Sequence, residues 1–195
     1  MKNNKMLLAT VLLSTLGFSA VSNAAEPAPV VGDSSSAFVQ WSGFAKVIPG
    51  DDIVITGLRN GPVADGTLTV KGDGTFETKT PIDLESRLYW DQDASGVKTA
   101  GNLFATNWTI DADGITAAWG TNSTDGMMVT MMDTKSSTEL TTSSGPELKS
   151  AVTLAVKNDS AVASPEELNL LEPLTVTANV IATVGGVPNS AVRSL

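Results

Sequence analysis

Residues 37–48 read AFVQWSGFAKVI. At period 2 one face carries Ala37, Val39, Trp41, Gly43, Ala45 and Val47, and the other Phe38, Gln40, Ser42, Phe44, Lys46 and Ile48. Bounded by a serine run before and Pro49-Gly50 after, the twelve residues fit one long strand better than a helix. Gly43, on the same face as Trp41, marks a bend or a close backbone approach. The segment is expected to open a β-sandwich against which the later strands assemble.

Downstream, short apolar runs alternate with turn residues. The runs are IVIT (53–56), TLTV (67–70), TFETKT (75–80), SRLYW (86–90), LFATNWTI (103–110), GITAAW (114–119), GMMVTMM (126–132), SAVTLAV (150–156) and LTVTANVIAT (174–183). Asp-Gly pairs at 65–66, 73–74, 113–114 and 125–126 are turn punctuation, and Lys71-Gly72-Asp73-Gly74 reads as a hairpin turn. Only SPEEL at 164–168 looks helical, with proline at the first helical position and acids in the first turn. Short strands at this spacing predict an all-β, immunoglobulin-like β-sandwich over residues 37–183.

The segments outside that span differ in character. Residues 1–24 carry Lys2 and Lys5, then an apolar stretch, then Ser22-Asn23-Ala24. That pattern is a secretory signal peptide cut after Ala24, with Ala25 the second choice. Residues 25–36, AEPAPVVGDSSS, read as an extended arm, because Pro27 and Pro29 favour open backbone and the serines cannot build a core. The arm is either a loose terminus or a strand offered to a neighbouring molecule, with Ala28, Val30 and Gly32 alternating as a donor strand requires. Residues 184–195 form a C-terminal tail.

Removing 24 of the 195 residues leaves 171, enough for one domain with a sizeable core. Two of the twelve basic residues go with that segment, leaving ten against twenty-one acids, a net charge of −11. Phosphate backbones repel such a chain, so nucleic acid is not an expected partner. There is no cysteine, although an exported protein can use disulfides. There is no histidine, the commonest metal ligand and general base.

Motifs that suggest chemistry have plainer readings. Asp91-Gln-Asp93-Ala-Ser95-Gly96 copies half of a calcium loop, but position twelve is Asn102 and the flanks are strands, so a polar turn is expected. Asp111-Ala-Asp113-Gly114 reads as a hairpin turn. Met127, Met128, Met131 and Met132 suggest either a copper thioether site or a strand filled with flexible side chains. Trp41, Trp90, Trp108 and Trp119 can stack on sugars or pack in a core. Without His or Cys neither a serine triad nor a thiolate nucleophile can be built, and no pair of acids stands out for glycoside hydrolysis. The chain is expected to be no enzyme and to need no metal or cofactor.

The two ends of the mature chain carry a resemblance. FVQWSGFAKVIPG, just behind the arm, resembles the opening strand of chaperone–usher fimbrial subunits, above all the cysteine-free colonisation-factor type. VTLAVKNDSAVASPEELNLLEPLTVTANVIAT is similar to their two closing strands. The resemblance implies a sandwich lacking one strand, with a groove lined by Val39, Trp41, Ala45, Val176, Ala178 and Val180. A periplasmic chaperone would fill the groove first, and an outer-membrane usher would then replace it with the arm of another subunit. The implied product is an adhesive surface fimbrium of identical or related subunits, facing a host receptor. The tail departs from the pattern, since such subunits end close to the final strand. The alternative is a monomeric secreted module that binds carbohydrate or matrix.

Overall fold

The computed structural model describes residues 26–41 and 47–185, with backbone alone at 36–40. The expected signal peptide and all of the tail beyond Gly185 lie outside these residues. Among the described residues twelve strands follow one another: β1 (Ser34–Gln40), β2 (Val47–Ile48), β3 (Ile53–Thr56), β4 (Thr67–Val70), β5 (Phe76–Thr80), β6 (Ile82–Trp90), β7 (Thr99–Leu103), β8 (Asn107–Trp119), β9 (Val129–Asp133), β10 (Thr138–Glu139), β11 (Ala151–Asn158) and β12 (Leu174–Thr183). The expected helix at 164–168 is a single 3-10 turn, Pro165–Glu167.

The strands form two antiparallel sheets, and the protein is an all-β sandwich. One sheet has the order β2-β1-β12-β8. The other runs β10-β9-β11-β5-β4, with β6 joining β11 to β3 and β7. Period-2 patterning drives the assembly. In β12, Leu174, Val176, Ala178, Val180 and Ala182 are buried while every intervening residue is half-exposed. Ile53 and Ile55 of β3, Leu84 of β6 and Leu154 of β11 meet that face from the opposite sheet in one continuous core.

The opening segment departs from expectation. It is not one twelve-residue strand. β1 and β2 are separate and antiparallel, with Ser36 opposite Ile48 and Ala37 opposite Val47, so the chain reverses between them. A straight strand of twelve residues would span about 40 Å, beyond the roughly 33 Å of the ten-residue β12, and would leave its end unpaired. The serines also behave otherwise than expected, because Ser34–Ser36 belong to β1. Ser35 is buried because its hydroxyl donates to the Ile48 carbonyl at 3.0 Å and accepts from the Ile55 amide at 3.0 Å.

A second departure lies in β8. The runs 103–110 and 114–119 are not separated by a hairpin: residues from Asn107 onward form one strand paired to β12. Ile110 pairs with Val180 and Ile115 with Ala178, so four residues, Asp111 to Gly114, stand opposite the single Asn179. The Asp113-Gly114 turn is thus a large bulge, made possible by φ of +68° at Gly114.

Two buried carboxylates bind loops to the second sheet. Glu85 of β6 accepts from Arg87 Nε at 3.0 Å, Arg87 Nη2 at 2.7 Å and the Asn60 amide at 3.2 Å. Burial acts to raise its pKa. Hydrogen bonds from the Arg59 backbone, the Arg87 side chain and the Asn60 backbone, with the Arg87 charge, outweigh burial and leave it lowered. Asp133, at the end of β9, accepts from the Thr153 amide at 2.8 Å, the Ser136 amide at 3.1 Å and the Ser136 hydroxyl at 2.6 Å.

Candidate functional site at the seam of the first and last strands

β12 is flanked on one side by the thirteen-residue β8 and on the other by β1. The β1 register runs without a break from Ser34 opposite Thr183 to Gln40 opposite Thr177. Beyond it the Trp41 amide donates to the Val176 carbonyl at 2.9 Å, extending the ladder by one bond. Since β2 pairs only with Ser36 and Ala37 of β1, this strand lies between a two-residue strand and β12, the last described strand.

Of the groove residues read from the sequence, Val39, Trp41, Val176, Ala178 and Val180 lie along this seam. Val176, Ala178 and Val180 are buried. Val39 stands opposite Ala178 in register. Trp41 is buried, with its ring against Gly66, where an added methyl would overlap Cδ1 and Nε1. Ala45 lies outside the described residues. Along residues 34–40 the seam holds β1 itself.

The donor positions read from the sequence lie elsewhere. Ala28 is exposed and Val30 is 66% exposed. Gly32 donates its amide to the Val184 carbonyl at 3.0 Å, just past the end of β12. The arm lies instead across the edge of the other sheet, where the Glu26 carboxylate accepts from Asn102 Nδ2 at 2.8 Å and the Asn102 amide at 3.2 Å. None of the three is brought to Val176, Ala178 or Val180 by a described strand pairing.

Sequence reasoning passed over the residue that roots β1. The Asp33 carboxylate accepts from the consecutive amides of Asp51, Asp52 and Ile53, each at 2.9 Å. It thereby joins the start of β1 to the start of β3. An aspartate directly before the serine run was the only sign of this, and local sequence does not name its distant partners.

The other motifs resolve into structural parts. In the loop after β6 the Asp91 carboxylate accepts from the amides of Ser95 and Gly96 at 3.0 and 2.6 Å, so its lone pairs serve the turn. Hydrogen bonds from the Ser95 side chain and backbone hold Asp93 below the ordinary carboxylate range. Among the described residues no three acids, His or Cys gather to hold a metal. Met131 and Met132 are consecutive in β9 and so take opposite faces; Met131 is buried and Met128 is 71% exposed. Trp108 and Trp119 are buried, donating to the carbonyls of Lys149 and Glu172 at 2.8 Å each. With Trp41 also in the core, Trp90 is the tryptophan with a partly exposed surface. Compared with protein-family models, with curated proteins and with solved structures, the chain has no match.

Proposed function

We propose that the protein is a structural fimbrial subunit, exported through the periplasm and polymerised by strand exchange into an adhesive surface pilus. The observation that carries the reading is the position of β1. Seven residues pair with Thr177 to Thr183 of β12, and on its other side β1 pairs with a strand of only two residues. A strand held in this way can be replaced by the same segment of a second copy, because every backbone bond and inward residue is reproduced. The exchanged element is therefore β1, and residues 41–46, which join it to β2, serve as the connection between subunits. A chaperone and an usher are the partners such an exchange requires, since a vacated edge of Val176, Ala178 and Val180 would otherwise aggregate. A head-to-tail contact that does not close on itself gives a filament.

The cysteine-free chain permits a direct test. Val39→Cys with Ala178→Cys, opposite one another in register, would lock β1 to its own β12. Surface material from wild-type cells should give a ladder in SDS that collapses on boiling, and the oxidised double variant should give monomer until reduced. Filaments assembled from locked protein would refute exchange of β1. Deleting residues 25–36 should leave chaperone binding and abolish polymer.

The same seam favours a second reading, a monomeric secreted module binding carbohydrate or matrix. With β1 in its own seam the described edge of β12 is covered, and such a sandwich is soluble without a chaperone. A single monomer band with and without boiling, from cells that export the protein, would establish this reading over the first.

A further inference from the structure

β8 is an edge strand of its sheet, and the two halves of that edge differ. Along the first half the chain at 141–146 covers it. The Trp108 amide donates to the Pro146 carbonyl at 2.9 Å, and the Ile110 amide to the Thr141 carbonyl at 3.1 Å. Beyond the bulge the direction of the backbone groups follows from the register. The Trp41 amide donates to the Val176 carbonyl, so Val176, and with it Ala178 and Val180, turn their backbone groups toward β1. Ile115 stands opposite Ala178 and Ala117 opposite Val176, so both turn N–H and C=O away from β12, as Trp108 and Ile110 do. Among the described residues nothing partners these outward groups. The side chains of Ile115 and Ala117 pack on the core but are only partly buried. An opening of about 240 Å³ lies beside them, with Ile110, Ile115, Val129 and Leu140 among its walls.

An open edge above a half-covered inner face is a place for one more strand. We infer that this strand is the same segment of a second copy, related by a two-fold axis through Thr116. In antiparallel register Ile115 of each copy then faces Ala117 of the other. The N–H and C=O of both residues in both copies are used in reciprocal backbone bonds, with none left over. On the inner face the large Ile115 lies beside the small Ala117. On the outer face the two Thr116 residues meet, a favoured cross-strand pair. Charge selects the same segment. Two strongly acidic copies repel one another, yet residues 114–118, GITAA, carry no charge, and the register sets Asp113 opposite Trp119 rather than another acid. The bulge ends the ladder on one side, and the turn at Gly120, with φ of +53°, ends it on the other. The contact is small against the roughly 800 Å² per partner of a standard interface, so we set its Kd at about 1 mM. Copies are then single in dilute solution and pair where they are crowded. This inference rests on β8 alone and does not depend on exchange of β1.

The test is sedimentation equilibrium and amide exchange on the mature chain at about 10 μM and about 1 mM, below and at that Kd. The protein should be monomeric at the lower concentration and about half paired at the higher, which slows exchange at Ile115 and Ala117 about twofold. Exchange at the exposed Gly72 should not change. Added salt should raise the paired fraction by screening the repulsion between copies. Thr116→Lys sets two cations face to face on the axis and should abolish pairing, even though it lowers the negative charge that opposes association. Thr116 is exposed, so this variant should keep the wild-type Tm. The oxidised Val39→Cys, Ala178→Cys form should pair as wild type does, which separates this contact from strand exchange. Monomer at the higher concentration overturns the proposal, as does a dimer that survives Thr116→Lys or that salt weakens. Pairing lost in the locked form also overturns it and assigns the dimer to a swap of β1.

Discussion

Replacing Asp133 by asparagine removes a charge from a side chain that is 1% exposed while keeping its shape. Its two oxygens hold the Thr153 amide on one side and the Ser136 amide and hydroxyl on the other, at 2.8, 3.1 and 2.6 Å. Asparagine can keep its oxygen on only one side. If that is Thr153, the new NH₂ group faces the Ser136 amide donor, and only the hydroxyl can turn to accept. One charge-assisted hydrogen bond is lost and one amide is left without an acceptor, for about 2–3 kcal/mol. At about 2–4 °C per kcal/mol for a domain of this size, Tm should fall by about 5–10 °C, with the urea midpoint lower by about 1 M. The pH dependence gives a second check. Burial acts to raise the Asp133 pKa, but hydrogen bonds from the Ser136 hydroxyl and from the Thr153, Lys135 and Ser136 amides leave it below the ordinary 3.8. A carboxyl lowered in the folded state contributes its full stabilisation above the unfolded pKa and loses it as pH falls through the folded value. The gap between wild type and Asp133→Asn should hold steady from about pH 8 to 5 and narrow below about pH 4. A gap under about 0.5 kcal/mol at neutral pH, or one that does not narrow in acid, would refute the account.

Glu85→Ala should cost about 3 kcal/mol, because it leaves the half-buried Arg87 without its carboxylate and frees the Leu58–Asn60 turn, and urea unfolding measures it. Gly66→Ala should cost about 2 kcal/mol through overlap with the Trp41 ring and shift tryptophan fluorescence. Gly72→Ala, whose added methyl meets only Leu170 Cδ1 at 3.7 Å, should be nearly silent in the same assays. Ser35→Ala should cost about 2 kcal/mol by orphaning the Ile48 carbonyl and Ile55 amide, and amide exchange should speed up first in β1.

How much was legible in the sequence depended on whether a pattern was local. β12 was read to the residue, because its alternation of Val176, Ala178 and Val180 with Thr175, Thr177 and Asn179 is the imprint of one face in the core and one in solvent. β3 and β4 were equally plain. The reversal between β1 and β2 was not, because a period-2 pattern can continue through a hairpin with its parity unchanged. The bulge in β8 was misread as a turn for a related reason: Asp113-Gly114 has the chemistry of both, and only the opposing Asn179 separates them. β7, with the sequence TAGNL, has little apolar alternation and exists through its pairing with β6. At the seam, the burial of Val176, Ala178 and Val180 was legible because burial writes itself into residue type. The strand that meets them was started too late in the chain, at Ala37, because Ser34–Ser36 looked unable to enter a sheet. Their partners, Ile48 and Ile55, are 13 and 20 residues from Ser35, and no local rule finds them.

Strand exchange at this seam raises a question of energy that also bears on why a partner is needed. Replacing a chain's own β1 with that of a neighbour forms the same hydrogen bonds and buries the same residues, so the two arrangements are close in free energy. What separates them is connection. Only residues 41–46 join β1 to β2, so a chain's own β1 is held within about 20 Å of its seam. A linker that short gives an effective concentration in the millimolar range. A neighbour at micromolar concentration competes against odds of roughly a thousand to one, or about 4 kcal/mol. Free copies of this chain should therefore close on themselves, and purified protein refolded alone should be monomeric. Polymer requires that β1 be kept out of its own seam until copies are brought together, which is the task the proposed chaperone and usher would perform. It follows that weakening the root of β1 is not enough to make filaments. Ser35→Ala should loosen the strand and still leave refolded protein monomeric, while delivery of seam-open subunits at high local concentration should give the SDS-resistant ladder. Filaments growing spontaneously from dilute refolded protein would mean that the closed seam is strained, and that β1 fits a neighbour better than its own chain.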